Sequence, residues 1–368
     1  MTVLPENLIL PARTIVRPGA ARDVLREGAG FGNRGLLVHG ASLRRNGRLE
    51  AIVGNAPSAL RLRTWEHRGG EPTVDDLELL RAAALQHEAQ WVAAVGGGSV
   101  LDLGKGCAGL LHAPLSVTAY HDGEEIPPSA VPFIAVPTTA GTGSEATPVV
   151  VLTNPRRLLK SSIRHPSFMA RLVILDSDLL NGTPPQVVAH AGLDALTQAI
   201  ESCVSSKATR FTEQLSLEAL RLIFGSLPEV YRGTSGEPPQ HLLVGSYLAG
   251  IALANARLGL IHGLAHPLGV RYSVPHGLAC AACLVPVLEF NRPFIEEKYG
   301  WMSACVGADL LAAIERLMNT LAVSSPFRGQ PLRDVEAIVA ETLASGSTAA
   351  NPRPVSRADV IELLSRLF

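Results

Sequence analysis

The sequence predicts an α/β domain with a mainly parallel sheet, followed by an all-helical domain. Three observations carry that expectation. Strand-like apolar runs alternate with helical patterns as far as Leu180, the order a covered parallel sheet requires. Glycine-rich loops directly follow two of those runs, at 96–102 and 137–145. From Val187 to Phe368 the periodicity is helical and alternating runs almost vanish. We place the boundary near Thr183, giving domains 1–183 and 184–368 in a chain long enough for two cores.

In order, residues 19–32 (GAARDVLREGAGFG) read as a helix ending in glycines. Leu36, Leu37 and Val38 form a buried strand that breaks at Gly40, and Ser42 is placed to cap the next helix. Weak alternation over 59–65 suggests a second strand. In 73–90 (TVDDLELLRAAALQHEAQ), Thr73 can cap a helix whose first turn carries Asp75 and Asp76, which suit its dipole. Residues 91–111 read as strand, glycine turn and helix; 131–154 as strand, loop and strand; 172–180 (LVILDSDLL) as one more strand. Beyond the proline pair at 184–185, helices are expected over 209–227, 241–257, 309–322 and 356–368. Ser356 and Asp359 resemble a capping box at the start of the last of these. The 323–354 region reads as loops around one helix.

Composition narrows the function. Apolar residues make up 47% of the chain and the formal charge is −1, which suits a globular protein without a basic field for nucleic acid. No apolar run reaches the ~18 residues of a spanning helix, and MTVLPENLILPART lacks the pattern of a signal peptide. Five cysteines in a chain of this length are expected to be reduced, which points to the cytoplasm. Cys280 and Cys283 form a lone CxxC, read as two small core residues.

The two glycine loops suggest a nucleotide. Gly97, Gly98 and Ser99 open a helix after a strand, where a phosphate can approach main-chain N–H groups, and Asp102 lies a turn further on. Thr138, Thr139, Thr142 and Ser144 add hydroxyls suited to a dinucleotide. The stretch from His190 to Gly277 supplies a different chemistry. It brings Asp194, His262, His266 and His276 into one helical region, a carboxylate and three imidazoles that suit a divalent metal.

Together these residues resemble the iron-containing (group III) alcohol dehydrogenase family. The likeness runs through GGGSVLDLGK (96–105), PTTAGTGSE (137–145), Lys160, ILDSDLL (174–180), GLDALTQAIE (192–201), HGLAHPLG (262–269) and PHG (275–277). It implies a dinucleotide-binding α/β domain and a helical metal- and substrate-binding domain, the superfold shared with dehydroquinate synthases. It also implies one divalent metal, Fe2+ or Zn2+, held by an Asp, a His four residues later and two further His. Asp194, His262 and His276 match three of those positions, but the fourth is Gln198. Three arrangements are open: Gln198 ligates weakly, three protein ligands suffice, or the enzyme works without metal. His190, one turn before Asp194, is a further imidazole on that helical face.

The resemblance further implies that His266 takes part in proton transfer and that Lys160 lies near the nicotinamide. Where relatives preferring NAD carry an acidic residue, this chain has Gly40, followed by Arg44 and Arg45, which favours NADP(H) over NAD(H). Arg257, five residues before His262, is a candidate for holding an anionic substrate group, with Arg271 as a second. The expected activity is reversible hydride transfer on a small aldehyde or alcohol by a homodimer, with no nucleic-acid or membrane partner. A metal-independent maleylacetate-type reductase, a lyase that recycles its NAD and a non-catalytic nucleotide-binding protein are the alternatives.

Overall fold

The computed structural model describes residues 2–157 and 159–368. They group into two compact units. One takes residues 9–139 and 144–180; the other takes the segment ending at Leu8, residues 140–143 and everything from Asn181.

The first unit carries the strands β1 (Thr14–Val16), β2 (Arg34–Gly40), β3 (Arg61–His67), β4 (Trp91–Gly96), β5 (Phe133–Pro137), β6 (Val149–Asn154), β7 (Leu159–Arg164) and β8 (Leu172–Leu175). Six of them form one sheet in the order β1-β8-β5-β4-β2-β3, and every pairing in it is parallel. Its helices are α1 (Val24–Ala29), α2 (Ala41–Arg45), α3 (Arg48–Val53), α4 (Val74–Gln86), α5 (Gly98–Leu110) and α6 (Val117–His121). All six residues of β4 are buried, which is why the strand reads as a continuous apolar run rather than an alternating one. Trp91, at its start, requires glycine in β2: a Cβ on Gly35 would lie 2.2 Å from the indole ring.

Several local expectations hold. Thr73 and Asp76 form a full capping box at α4, with Asp76 N donating to Thr73 Oγ1 at 3.0 Å and Thr73 N to Asp76 Oδ2 at 3.1 Å. Ser356 and Asp359 do the same at the last helix. Others are corrected. Gly40, in extended conformation, caps α2, so Ser42 lies inside that helix. The strand expected over 172–180 ends at Leu175, because Asp176 turns back to accept from the N–H groups of Gly19, Ala21 and Asp178. The strand after the second glycine loop, β6, leaves the main sheet and pairs antiparallel with β7. That partner, LKSSIR, is mostly polar and largely uncovered, so it carries no apolar signal.

Every regular element from Pro185 on is helical among the described residues: α7 (Pro185–Val204), α8 (Arg210–Tyr231), α9 (Glu237–Ala256), α10 (Leu260–Tyr272), α11 (His276–Asn291), α12 (Glu296–Val306), α13 (Leu310–Thr320), α14 (Val335–Ala344) and α15 (Arg357–Leu367). From Gly192 to Val204, α7 is buried on all sides, as a central helix must be. Glycines let its neighbours close in: a Cβ on Gly192 would lie 2.3 Å from Leu227 of α8. The carbonyls of Thr2 and Val3 accept from the N–H groups of Arg210 and Phe211, which ties the N-terminal segment to this unit. A bend of 104° separates α9 from α10. At that bend Arg257 takes a left-handed φ of 67°. No single helix among the described residues is long and apolar enough to cross a membrane.

Candidate metal centre

Three helices assemble the centre. Asp194, Gln198 and Glu201 follow one another at helical spacing on α7, and all three are buried. Glu201 organises the start of α10. One of its oxygens accepts from the N–H of Ile261 at 2.6 Å, and the other meets Nδ1 of His262 at 2.5 Å. A carboxylate only accepts, so Nδ1 carries a proton and Nε2 is turned toward Asp194 Oδ1, 3.3 Å away. Gly259 makes room for this, since a Cβ there would lie 2.9 Å from Glu201 Oε1.

The third helix, α11, begins at His276, whose Nε2 lies 3.8 Å from the same Asp194 oxygen. Cys280 sits one turn on, with Sγ 3.7 Å from His276 Nε2. The start of α11 fits against α7 only with glycine at 277, where a Cβ would lie 2.2 Å from the carbonyl oxygen of His190. His266, one turn along α10 from His262, stacks on His276 with ring centroids 5.2 Å apart and planes at 28°.

The donor atoms of Asp194, His262, His276 and Cys280 all lie within 4.8 Å of one another. Four ligands ~2.0–2.3 Å from a tetrahedral metal stand about 3.3–3.8 Å apart. The separations of 3.3, 3.7 and 3.8 Å given above match those edges. Asp194 Oδ1 and His262 Nε2 are fully buried without a hydrogen-bond partner, which is costly unless something else engages them. The residues therefore fit a divalent cation.

Charges within the cluster reinforce each other. Burial alone would raise the Asp194 carboxyl, but the His276 and His262 imidazoles and the Gln198 side chain hold it below its ordinary value. Burial would lower His262; Cys280, Glu201 and Asp194 overcome it and push the imidazole well above its usual range. Burial opposes ionisation of Cys280 too, yet the two imidazoles pull its thiol below the ordinary value. At Cys283, burial together with Cys280 and Glu201 outweighs the pull of His262 and drives the thiol well up. The CxxC pair thus splits. Cys283 is the small core residue expected, whereas Cys280 faces the centre. Nothing about CxxC spacing signals this; the His276–Cys280 separation of one helical turn does. Glu201 was equally readable as a carboxylate one further turn along the Asp194 face, and was missed.

Gln198 is brought to the cluster, with its Oε1 buried and without a hydrogen-bond partner. A Cβ on Gly143, in the second glycine loop, would lie 3.4 Å from that oxygen and 2.6 Å from Gly250 of α9. His190 is half-buried at the start of α7, and burial lowers its imidazole.

The residues read as cofactor contacts divide. Gly97 caps α5, Gly98 and Ser99 form its first turn, and all three are partly accessible. Thr138 and Thr139 are also partly accessible, and Thr142 is exposed. Asp102 and Ser144, by contrast, belong to a buried network. Asp102 accepts from Ser144 Oγ at 2.5 Å and from the N–H of Val151 at 3.0 Å, while the Lys105 ammonium donates to Ser144 Oγ at 2.8 Å. Lys160 pairs with Glu71 at 2.7 Å, and Arg44, next to the Gly40 cap, pairs with Glu66 at 2.7 Å. Arg257 is exposed at the end of α9, and Arg271 is tied to Glu341 at 2.5 Å.

Comparison with known proteins agrees with this architecture. Residues 11–177 match the iron-containing alcohol dehydrogenase family model, and 188–368 match the model of that family's C-terminal part. A probable alcohol dehydrogenase, EutG of Escherichia coli (strain K12), is 32% identical over 97% of this chain and 93% of its own. A sulfoacetaldehyde reductase of Bilophila wadsworthia (strain 3_1_6) is 31% identical over 81% of this chain and 82% of its own. The crystal structure of a 1,3-propanediol oxidoreductase superposes with a TM-score of 0.93 at 28% identity, covering 98% of this chain and 99% of that one.

Proposed function

Because the chain belongs to the iron-containing alcohol dehydrogenase family, we propose that it is a metal-dependent, NADP(H)-preferring reductase of small aldehydes, acting reversibly on the alcohols. The convergence of buried Asp194 and His262 and the partly accessible His276 on one point carries the reading. A divalent cation held there would polarise a carbonyl oxygen, and the nicotinamide would supply the hydride. Asp194, His262 and His276 hold that cation, and Glu201 keeps the lone pair of His262 Nε2 on it. His266, stacked on His276, is the imidazole that passes a proton to the alkoxide. Lys160 orients the nicotinamide end of the cofactor, and Gly97, Gly98, Ser99, Thr138, Thr139 and Thr142 receive its phosphates and riboses.

The NADP(H) preference rests on Gly40, which offers no carboxylate to a ribose hydroxyl, and on Arg44 beside it. The Arg44–Glu66 pair is more than a third exposed on average and is worth roughly 0–1 kcal/mol, so a 2′-phosphate can displace Glu66. Arg44→Ala should lower kcat/KM for NADPH several-fold and leave NADH unchanged; equal losses on both would remove Arg44 from this role. An anionic substrate group is supported by the exposed Arg257 and by the sulfoacetaldehyde reductase among the relatives.

The deciding experiment measures bound metal together with oxidation of NADPH and NADH on short neutral and anionic aldehydes. About one metal per chain and chelator-sensitive turnover are expected. Undiminished turnover after metal removal would establish a metal-independent reductase instead.

A further inference from the structure

We propose that Cys280 is the fourth metal ligand, replacing the histidine whose place Gln198 takes, and that the resulting Asp194–His262–His276–Cys280 set is a zinc site. This rests on the metal-dependent reading above and adds the identity of the ligands and the ion; the carbonyl oxygen would then enter as a fifth ligand, an expansion that catalytic zinc allows.

Geometry favours sulfur over the amide. Sγ of Cys280 lies 3.7 Å from Nε2 of His276, and its distances to the other three donor atoms all stay within 4.8 Å. The thiol is fully buried, one helical turn beyond His276, so α11 presents both side chains to the same point. Gln198 lies one turn beyond Asp194 on α7, with its amide oxygen beside Gly143 of the second glycine loop. It serves as a positioning residue for Asp194 and not as the replacement for histidine.

The chemistry favours the same choice. A neutral amide oxygen is a hard, weak donor, whereas a thiolate is soft and strongly bound by zinc. A Cys280 thiolate adds a second anionic ligand beside Asp194, which attracts a divalent ion more strongly than a neutral amide oxygen does. On binding zinc, the Cys280 thiol releases its proton to solvent and the S–Zn bond forms; no electron is transferred.

Cobalt(II) reports on this directly, because a thiolate ligand produces a sulfur-to-cobalt charge-transfer band in the near ultraviolet. Nitrogen and oxygen ligands give only the weak visible bands. The full-length protein is stripped, loaded with Co2+ and its spectrum recorded, and Cys280→Ser and Gln198→Ala are treated alike. The wild type and Gln198→Ala should both show the charge-transfer band. Cys280→Ser should lose it while keeping visible cobalt bands, with metal affinity down by at least tenfold. Cobalt bound by wild type without the charge-transfer band would overturn sulfur ligation and leave the metal-dependent reading intact. No cobalt uptake at all would overturn both. Cys280→Ser/Gln198→His, which restores a histidine at 198, should regain tight binding with no sulfur band. The wild-type spectrum alone decides the ligand even if a variant fails to fold. Competition between Zn2+ and Fe2+ for the stripped protein completes the test: iron retained over zinc would overturn the assignment of the ion.

Discussion

Glu201 shows how much a single side chain contributes. It touches no metal donor atom except through His262, yet it fixes which imidazole nitrogen is protonated. Glu201→Gln should lower metal affinity by roughly 10–100-fold, measured by competition with a chelator; an unchanged affinity would mean the backbone alone orients His262. Glu145 makes a prediction of another kind. Burial pushes its carboxyl up to about 7, against smaller pulls from its own backbone N–H and from Lys105. The folded protein therefore holds a proton that the unfolded chain has released. Its stability is fullest below the ordinary glutamate pKa and declines as pH rises to about 7, by at most ~1.4 kcal/mol per pH unit. Urea midpoints at about pH 5 and about pH 8 should differ less in Glu145→Gln than in the wild type. At this scale the sequence was informative where a motif named the residue, as for Asp194, His262 and His276. It was silent where a role depends on two helices meeting. Cys280 and Glu201 acquire theirs only once α7, α10 and α11 are packed.

Elements were legible in proportion to how local their causes are. The α4 capping box needs only Thr73 and Asp76, and both could be read in advance. Thr73→Ala should cost about 1 kcal/mol, seen as a lower urea midpoint with an unchanged slope. The β6–β7 hairpin could not be read in the same way, because its pairing is set by tertiary context and not by an apolar pattern. Helix α11 lies between these cases. The glycine after His276 was visible as part of PHG, but its reason is the carbonyl of His190 across the helix contact. Gly277→Ala forces α11 away from α7, and with it His276 and Cys280 from Asp194. Loss of bound metal with retained helical circular dichroism is the expected outcome; full metal occupancy would show that the contact yields.

At the scale of the whole molecule, the metal ligands all belong to the helical unit, and the parallel sheet belongs to the other. A ligand present at a hundred times its dissociation constant adds about 2.7 kcal/mol to the unit that binds it. Calorimetry of the loaded and stripped protein should therefore show a metal-dependent transition for the helical unit. A second transition indifferent to metal would mean that the sheet unit unfolds independently; one shared, shifted transition would mean that the chain unfolds as a whole.

The double duty of Glu201 has one more consequence. The carboxylate that steadies His262 also accepts from the Ile261 amide. Hydrogen exchange at that amide depends on how often the first turn of α10 opens. An ion gripping His262 suppresses such openings, so the exchange rate at Ile261 becomes a main-chain gauge of occupancy, legible without any assay of turnover.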